Sequence, residues 1–359
     1  MDELHLLRAT RNTTGTVPPA VLSAGRERLM QRAAEETAAR QPAPVLHPRR
    51  PWRRTVFAVS AAAALIAALV AVDVAGSGER PGATAEAAEV LDGAAAATIT
   101  SSDPVLGPGQ YLLIDTKAVY SYGNHSEADD FTWLVSQDSQ LYVPADRNGE
   151  WVLNQVPGEP VQFFDEASRR EAERMAEEEK IPGRVVAGAV PLEERNQPMR
   201  AEGGRFYDDT PRLTLNARPL EEVIATAPRD PEELLELVYE YQRAKGKGDT
   251  PHKEAFGTIA DTLSTGVIPA DLRAALYQAA ALIPGVTVTD REATLDGRTG
   301  ISLGMETPGY KARKELIIDP STGQLIGERE ILLEDQGSIP AGTAVSWTAV
   351  TTSVVDSAP

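Results

Sequence analysis

The sequence predicts an α+β protein in three parts: short helices at the N-terminus, one membrane-spanning helix, and a larger extracytoplasmic domain of antiparallel strands packed on helices. Three observations predict it. A single uncharged apolar run occupies residues 56–72, and the charge changes sign across that run. Downstream, the hydrophobic pattern passes from period 2 to period 3.6 and back to period 2, in blocks rather than in regular alternation. Strands, then helices, then strands indicate an antiparallel sheet rather than a doubly wound nucleotide-binding fold.

The N-terminal part, residues 1–54, carries ten Arg against five acidic residues, a net of +5. Residues 75–359 carry 25 basic and 47 acidic residues, a net of −22, and with Asp73 these make up the −18 of the whole chain. A membrane separating the two parts accounts for this split. An outer part this acidic does not suit nucleic acid, whose phosphates need clustered Lys and Arg. The chain has no Cys, which excludes disulfides, thiolate zinc sites and thiol catalysis together.

Residues 2–11, DELHLLRATR, form the first expected helix, with Asp2 and Glu3 at its positive end, Arg8 and Arg11 at its negative end, and Leu4 and Leu7 on one face. A second begins near Pro18 and Pro19 and includes Leu22 and Leu29. Two such short helices bury no core of their own, so Leu4, Leu7, Leu22 and Leu29 are candidate partner-binding residues. A proline-spaced linker then leads to Arg49, Arg50, Trp52, Arg53 and Arg54, the expected membrane flank. The span itself is placed at residues 55–74, long enough at roughly 1.5 Å per residue to cross a bilayer core of about 30 Å. The Arg excess before it predicts a single-pass protein of the cell membrane with its N-terminus in the cytoplasm. An Ala-rich soluble helix and a cleaved export signal bearing Arg53 and Arg54 are the alternatives; the only polar residue in the run is Ser60, and the upstream segment is long for a signal peptide.

Residues 75–100 are Gly-, Ala- and Glu-rich and are expected to be a stalk, with the acidic α+β domain over 101–359. Strand patterns occupy 110–122, 131–136, 141–144 and 150–156, the last two joined by a hairpin signal at Asn148 and Gly149. Residues 165–180 form a charged helix with almost no apolar face, read as a solvated surface helix rather than a docking arm. Asp230, Pro231 and Glu233 cap a helix bearing Leu234, Leu237, Val238 and Tyr241; further helices are expected over 254–263 and from Pro269 through Leu272, Leu276, Ala279 and Ile283. Strands follow at 286–289, 300–305, 314–318, 324–333 and 345–354, with a turn at Asp319, Pro320, Ser321, Thr322 and Gly323.

The opening DELHLLRATR, the helix containing GRERLM, the basic linker, the Ala-rich span, and the later ADLRAALYQAAALIPGV, DGRTGISL and KELIIDPSTGQLIGERE together resemble an uncharacterised family of actinobacterial single-pass membrane proteins, commonly encoded beside extracytoplasmic-function sigma factors. The resemblance implies an anti-sigma-like or envelope-sensing role, with a cytoplasmic sigma factor as partner of residues 1–40. The His and Cys cluster of zinc-type anti-sigma domains is not present. The order of elements in the outer domain is also similar to lipoprotein-carrier and sigma-regulatory periplasmic folds.

No catalytic or cofactor constellation emerges. The phosphate-cradling glycine motifs are missing, and the one GxSxG spacing, GISLG at residues 300–304, lies inside the expected strand 300–305 rather than at a strand-to-helix elbow. His125 with Glu127, Asp129 and Asp130 lies between two strands and is read as a solvated turn, and His252 as part of a loop between helices. The expectation is a non-enzymatic protein without metal or cofactor, whose contacts are the lipid bilayer, a possible sigma factor and an outer-domain ligand of unspecified identity. Two roles follow: a regulator acting through residues 1–40, or a tethered carrier of an apolar molecule held between sheet and helices.

Overall fold

A computed structural model describes residues 82–101, 103–125, 130–179, 197–206, 215, 220–246, 251–307 and 309–359. The cytoplasmic segment 1–54 and the span 55–74 lie outside the described residues; among the described ones, no helix is long and apolar enough to cross a membrane.

The first described element corrects the expected stalk. Residues 85–100 belong to helix α1 (Ala85–Ser101), whose Ala87, Leu91, Ala94, Ala95 and Thr98 are buried. Their spacing of i, i+4, i+7, i+8 and i+11 draws one continuous stripe. That stripe is made mainly of Ala, which lets α1 approach closely but gives little contrast in a hydropathy profile. Its entry is fixed by backbone bonds, Ala83 N to Ala281 O at 3.0 Å and Thr84 N to Val286 O at 2.9 Å.

An eleven-stranded sheet, antiparallel at every pairing, forms the frame. Strand β1 (Tyr111–His125) is its spine. One edge of β1 pairs with β11 (Ala344–Val355) from Tyr111 opposite Val355 to Tyr120 opposite Ser346. Its other edge is shared, first by β3 (Ser139–Pro144) and further along by β2 (Asp130–Ser136). Beyond β3 lie β4 (Glu150–Gln155) and β6 (Met199–Glu202), while β5 (Pro160–Phe163), among the described residues, pairs only with β2. On the far side, β7 (Thr287–Leu295), β8 (Arg298–Thr307), β9 (Ala312–Ile318) and β10 (Leu325–Leu332) meander to β11.

Period-2 alternation assigns the two faces. Ile114, Leu141, Leu153, Leu303, Leu316 and Val350 point into the main core with the helices, whereas Ile317, Ile326 and Ala349 join a small cluster on the other face with Trp347. The helices of the core face are α3 (Leu220–Thr226), α4 (Pro231–Ala244), α5 (Pro251–Ser264) and α6 (Ala270–Ala281). Helix α4 starts where Asp230 accepts bonds from the backbone N–H groups of Glu232 and Glu233. Helix α6 is the most enclosed, with Leu272, Leu276, Tyr277, Ala279 and Ala280 all inaccessible to solvent.

Helix α2 (Glu166–Glu179) follows the surface reading of the charged segment. Arg174 pairs with both Glu171 and Glu178, and the helix anchors through buried Ser168, whose hydroxyl accepts from Thr132 N at 3.0 Å. The turn after β9 forms as the sequence requires: Asp319 accepts from Ser321 N and from the hydroxyls of Ser321 and Thr322, and Gly323 takes φ of +67°. Thr98 of α1 donates to the Gly323 carbonyl at 2.9 Å, so the turn also clamps the first helix.

Candidate functional site

Helix α5 ends over the sheet, and residues 265–269 carry the chain to α6. Thr265 Oγ1 donates to Thr262 O at 2.7 Å and Gly266 N to Leu263 O at 3.2 Å, closing the end of α5. Gly266 has φ of +70°, a conformation that costs other residues steric energy. Its Cα also sits against the sheet: a Cβ there would fall 2.7 Å from Ile114 Cγ2 and 3.1 Å from Val350 Cγ1. The start of α6 is capped from a distance. Asp103, just after α1, accepts from Ala270 N at 2.6 Å and from Arg273 at 2.9 Å, and Arg273 also donates to Ile268 O.

This loop separates two cavities on the helix-covered face. The first, about 310 Å³, has walls of Leu112, Val143, Leu263, Val267, Ile268, Leu325 and Val350. Charged groups at its margin are already matched: Arg273 to Asp103, and Arg147 to Glu221 through Nε at 3.0 Å and Nη2 at 2.7 Å. Arg147 also lies 5.4 Å from the Trp151 ring, whose indole N–H donates to Arg147 O. The site is therefore an aliphatic chamber with a neutralised polar margin.

The second cavity, about 460 Å³, shares Val267 with the first but has a different lining. Thr116 and Tyr120 of β1, Ser139 of β3 and Ser346 and Thr348 of β11 contribute hydroxyls, and Asp138, Asp261, Lys314 and Glu328 contribute charge. Tyr120 and Thr348 hydroxyls are 3.1 Å apart. Lys314 Nζ lies 2.9 Å from Asp261 and 3.0 Å from Glu328. Burial disfavours the ammonium, but the charges of Glu328 and Asp261 outweigh it and hold the Lys314 pKa above its ordinary value. Burial dominates at Glu328 and pushes its carboxyl up, with Lys314 offsetting only part of the effect. A lysine held protonated in this way has no lone pair to offer as nucleophile or base.

A third cavity, about 700 Å³, is lined by His252, Lys253, Met305 and Arg313 among others. The structure corrects the placement of His252: it stands in the first turn of α5 and its Nδ1 is 2.8 Å from Tyr239 Oη. Among the described residues, no group of three or more His, Asp or Glu side chains is disposed to hold a metal ion. Residues 126–129, which include two members of the His125 cluster, lie outside them.

The candidate partner-binding residues Leu4, Leu7, Leu22 and Leu29, and the membrane flank Arg49, Arg50, Trp52, Arg53 and Arg54, also fall outside the described residues. The first two cavities, in contrast, draw on β1, β3, β11 and the loop after α5, and the first also on the segment after α1. The sequence signal for them was the alternating set Leu112, Ile114, Thr116, Ala118 and Tyr120, which grades from aliphatic to hydroxylic along one strand face. No family model, no curated protein and no solved structure matches the chain.

Proposed function

We propose that residues 82–359 are a binding domain for a molecule with an aliphatic part, held in the chamber between sheet and helices. The observation that carries this reading is the 310 Å³ cavity walled by seven aliphatic side chains from the sheet, from α5 and from the loop after it. Binding sites of this kind are concave, mostly apolar and largely preformed, with a few polar groups at the margin. The finer fold assignment, a lipoprotein-carrier-like domain, belongs to the same proposal and is supported by helices covering one face of an antiparallel sheet with an apolar space between. In this reading the span 55–74 tethers the domain to the membrane.

The sequence supports a second, compatible role. The resemblance carried by DELHLLRATR and GRERLM, with Leu4, Leu7, Leu22 and Leu29 on the helices expected from the sequence, points to an anti-sigma-like output at a cytoplasmic sigma factor. Changing those four leucines to Asp in the full chain abolishes co-purification of a sigma factor if this is correct, and leaves it intact if it is not.

The binding reading is tested with the full chain in lipid nanodiscs and a dodecyl probe bearing a terminal diazirine. Photoadducts are expected on the peptides containing Leu112 and Val350, and Leu112→Trp should remove them while thermal unfolding stays cooperative. Adducts that ignore Leu112→Trp, or that never map to β1 and β11, overturn the proposal.

A further inference from the structure

The two cavities lie along the same strands and meet beneath a single loop. On β1 the core-facing residues run from Leu112 in the aliphatic cavity to Thr116 and Tyr120 in the polar one; on β11 they run from Val350 to Thr348 and Ser346. Four residues of extended strand separate Leu112 from Thr116, about 13 Å, so one ligand can reach both. The polar cavity, at 460 Å³, is within the range of about 300–1,000 Å³ typical of small-molecule sites.

We infer that the ligand is an amphiphile with an uncharged, polyhydroxylated head: its aliphatic chain occupies the chamber at Leu112 and Val350, its head occupies the cavity at Thr116, Tyr120 and Thr348, and residues 265–268 clasp the junction. This rests on the aliphatic-binding reading above and adds the chemistry of the other end.

Charge selects this head. The carboxylates of Asp138, Asp261 and Glu328 face the cavity, against Lys314 and an Arg329 guanidinium already engaged by Glu315. An anionic head meets three carboxylates and is disfavoured. A hydroxylated head can donate to those carboxylates, each of which has about four acceptor sites, while accepting from the Tyr and Thr hydroxyls. Lys314 donates to one site on Asp261, and Glu328 Oε2, 3.0 Å from its ammonium, is buried without a hydrogen-bond partner. A trimethylammonium head cannot hydrogen-bond to the carboxylates or hydroxyls that line the cavity, and Lys314 already stands 2.9 Å from Asp261 and 3.0 Å from Glu328, between two of the three carboxylates.

The clasp can lift. Among the described residues, no backbone hydrogen bond joins 265–268 to the sheet; the loop's bonds run to α5 and to Arg273. The loop is held by apolar packing: Gly266 lies against Ile114 and Val350, and Val267 and Ile268, 4% and 3% exposed, belong to the main core.

The test is competition against the diazirine probe in nanodiscs by three unlabelled dodecyl compounds, the maltoside, the sulfate and the trimethylammonium salt. Free concentrations are corrected for partition into empty nanodiscs. The maltoside is expected to protect the Leu112 and Val350 peptides at a concentration at least tenfold lower than either of the others. In the double variant Thr116→Val with Thr348→Val that advantage should vanish while displacement by the chain persists. Equal protection by all three compounds, or preference for either charged head, refutes the assignment of the head and leaves the chain site standing. Failure of the probe to label β1 and β11 at all removes the underlying reading instead.

Discussion

Glu315 offers the sharpest energetic test of the fold. Its side chain is 0% exposed, lies on β9 opposite Arg329 of β10, and accepts from Arg329 Nε at 2.6 Å and Arg313 Nε at 2.7 Å. Burial disfavours this carboxylate, but hydrogen bonds and charge from Arg329 and then Arg313 outweigh burial and hold its pKa below the ordinary Glu value. Glu315→Gln keeps the volume and removes the charge, leaving two guanidiniums without their counterion. Breaking a buried pair costs about 3–5 kcal/mol; the arginines, 18% and 28% exposed, can partly rehydrate, so about 2–3 kcal/mol is expected here. Unfolding entropy of about 2.1 cal/mol/K per residue over roughly 280 residues gives about 0.6 kcal/mol/K, so Tm should fall by about 3–5 °C. Because the folded pKa is depressed, the native contribution is complete above the unfolded carboxylate value of about 4.3 and is lost as pH falls through the folded value. The difference between wild type and Glu315→Gln, followed by calorimetry, should accordingly narrow below about pH 4. Replacing the triad together by Met, Leu and Met should cost less than the single change, since no charge is then stranded. A Tm unaffected by Glu315→Gln, or a gap constant from acid to neutral pH, would refute this reasoning.

Three further outcomes are expected. Tyr277→Phe removes a hydroxyl that is fully buried and has no hydrogen-bond partner among the described residues, so thermal denaturation should show Tm unchanged or raised, by the equivalent of about 1 kcal/mol or more. Gly323→Ala places a Cβ 2.2 Å from Ala94 O at φ of +67°, and should lose about 1–3 kcal/mol in urea titration. Gly342→Ala, at φ of +83° with open space around it, should lose less, and equal losses would show that the contact with α1 is unimportant. Asp230→Ala removes the cap of α4 and should cost about 0.5–2 kcal/mol, measured in the same way.

The elements that were legible in the sequence are those with strong period or punctuation. The strand with Leu112, Ile114 and Ala118, the Asn148 and Gly149 hairpin, the Asp230 cap and the Asp319 turn each carry their own local instruction. Helix α1 was not legible because its buried stripe is Ala on an Ala-rich background, where burial leaves no contrast to read. Strands β5 and β6, four residues each, are defined by their partners β2 and β4 rather than by pattern. The cavities depend on long-range placement: Asp103 caps a helix that starts 167 positions later, and Gly266 meets a residue of β1. Periodicity cannot report either contact. The polar cavity was the least visible, since Lys314 sits in a strand pattern where it reads as a solvent-facing residue until Asp261 and Glu328 are brought to it.

The pairing of β1 with β11 bears on the domain's biogenesis. The spine of the sheet is zipped, over ten residue pairs, to the strand of that sheet that comes last in chain order. Until that strand emerges, β1 has one bare edge, and the core side chains Ile114 and Val350 have no shared wall. The domain therefore cannot complete its fold progressively as the chain is made. It must wait as an open intermediate with an unpaired strand and exposed aliphatic surface, the state most vulnerable to aggregation and proteolysis. A chain interrupted anywhere before β11 would leave no half-functional product, and its failure would take both cavities with it, since β11 lines each of them.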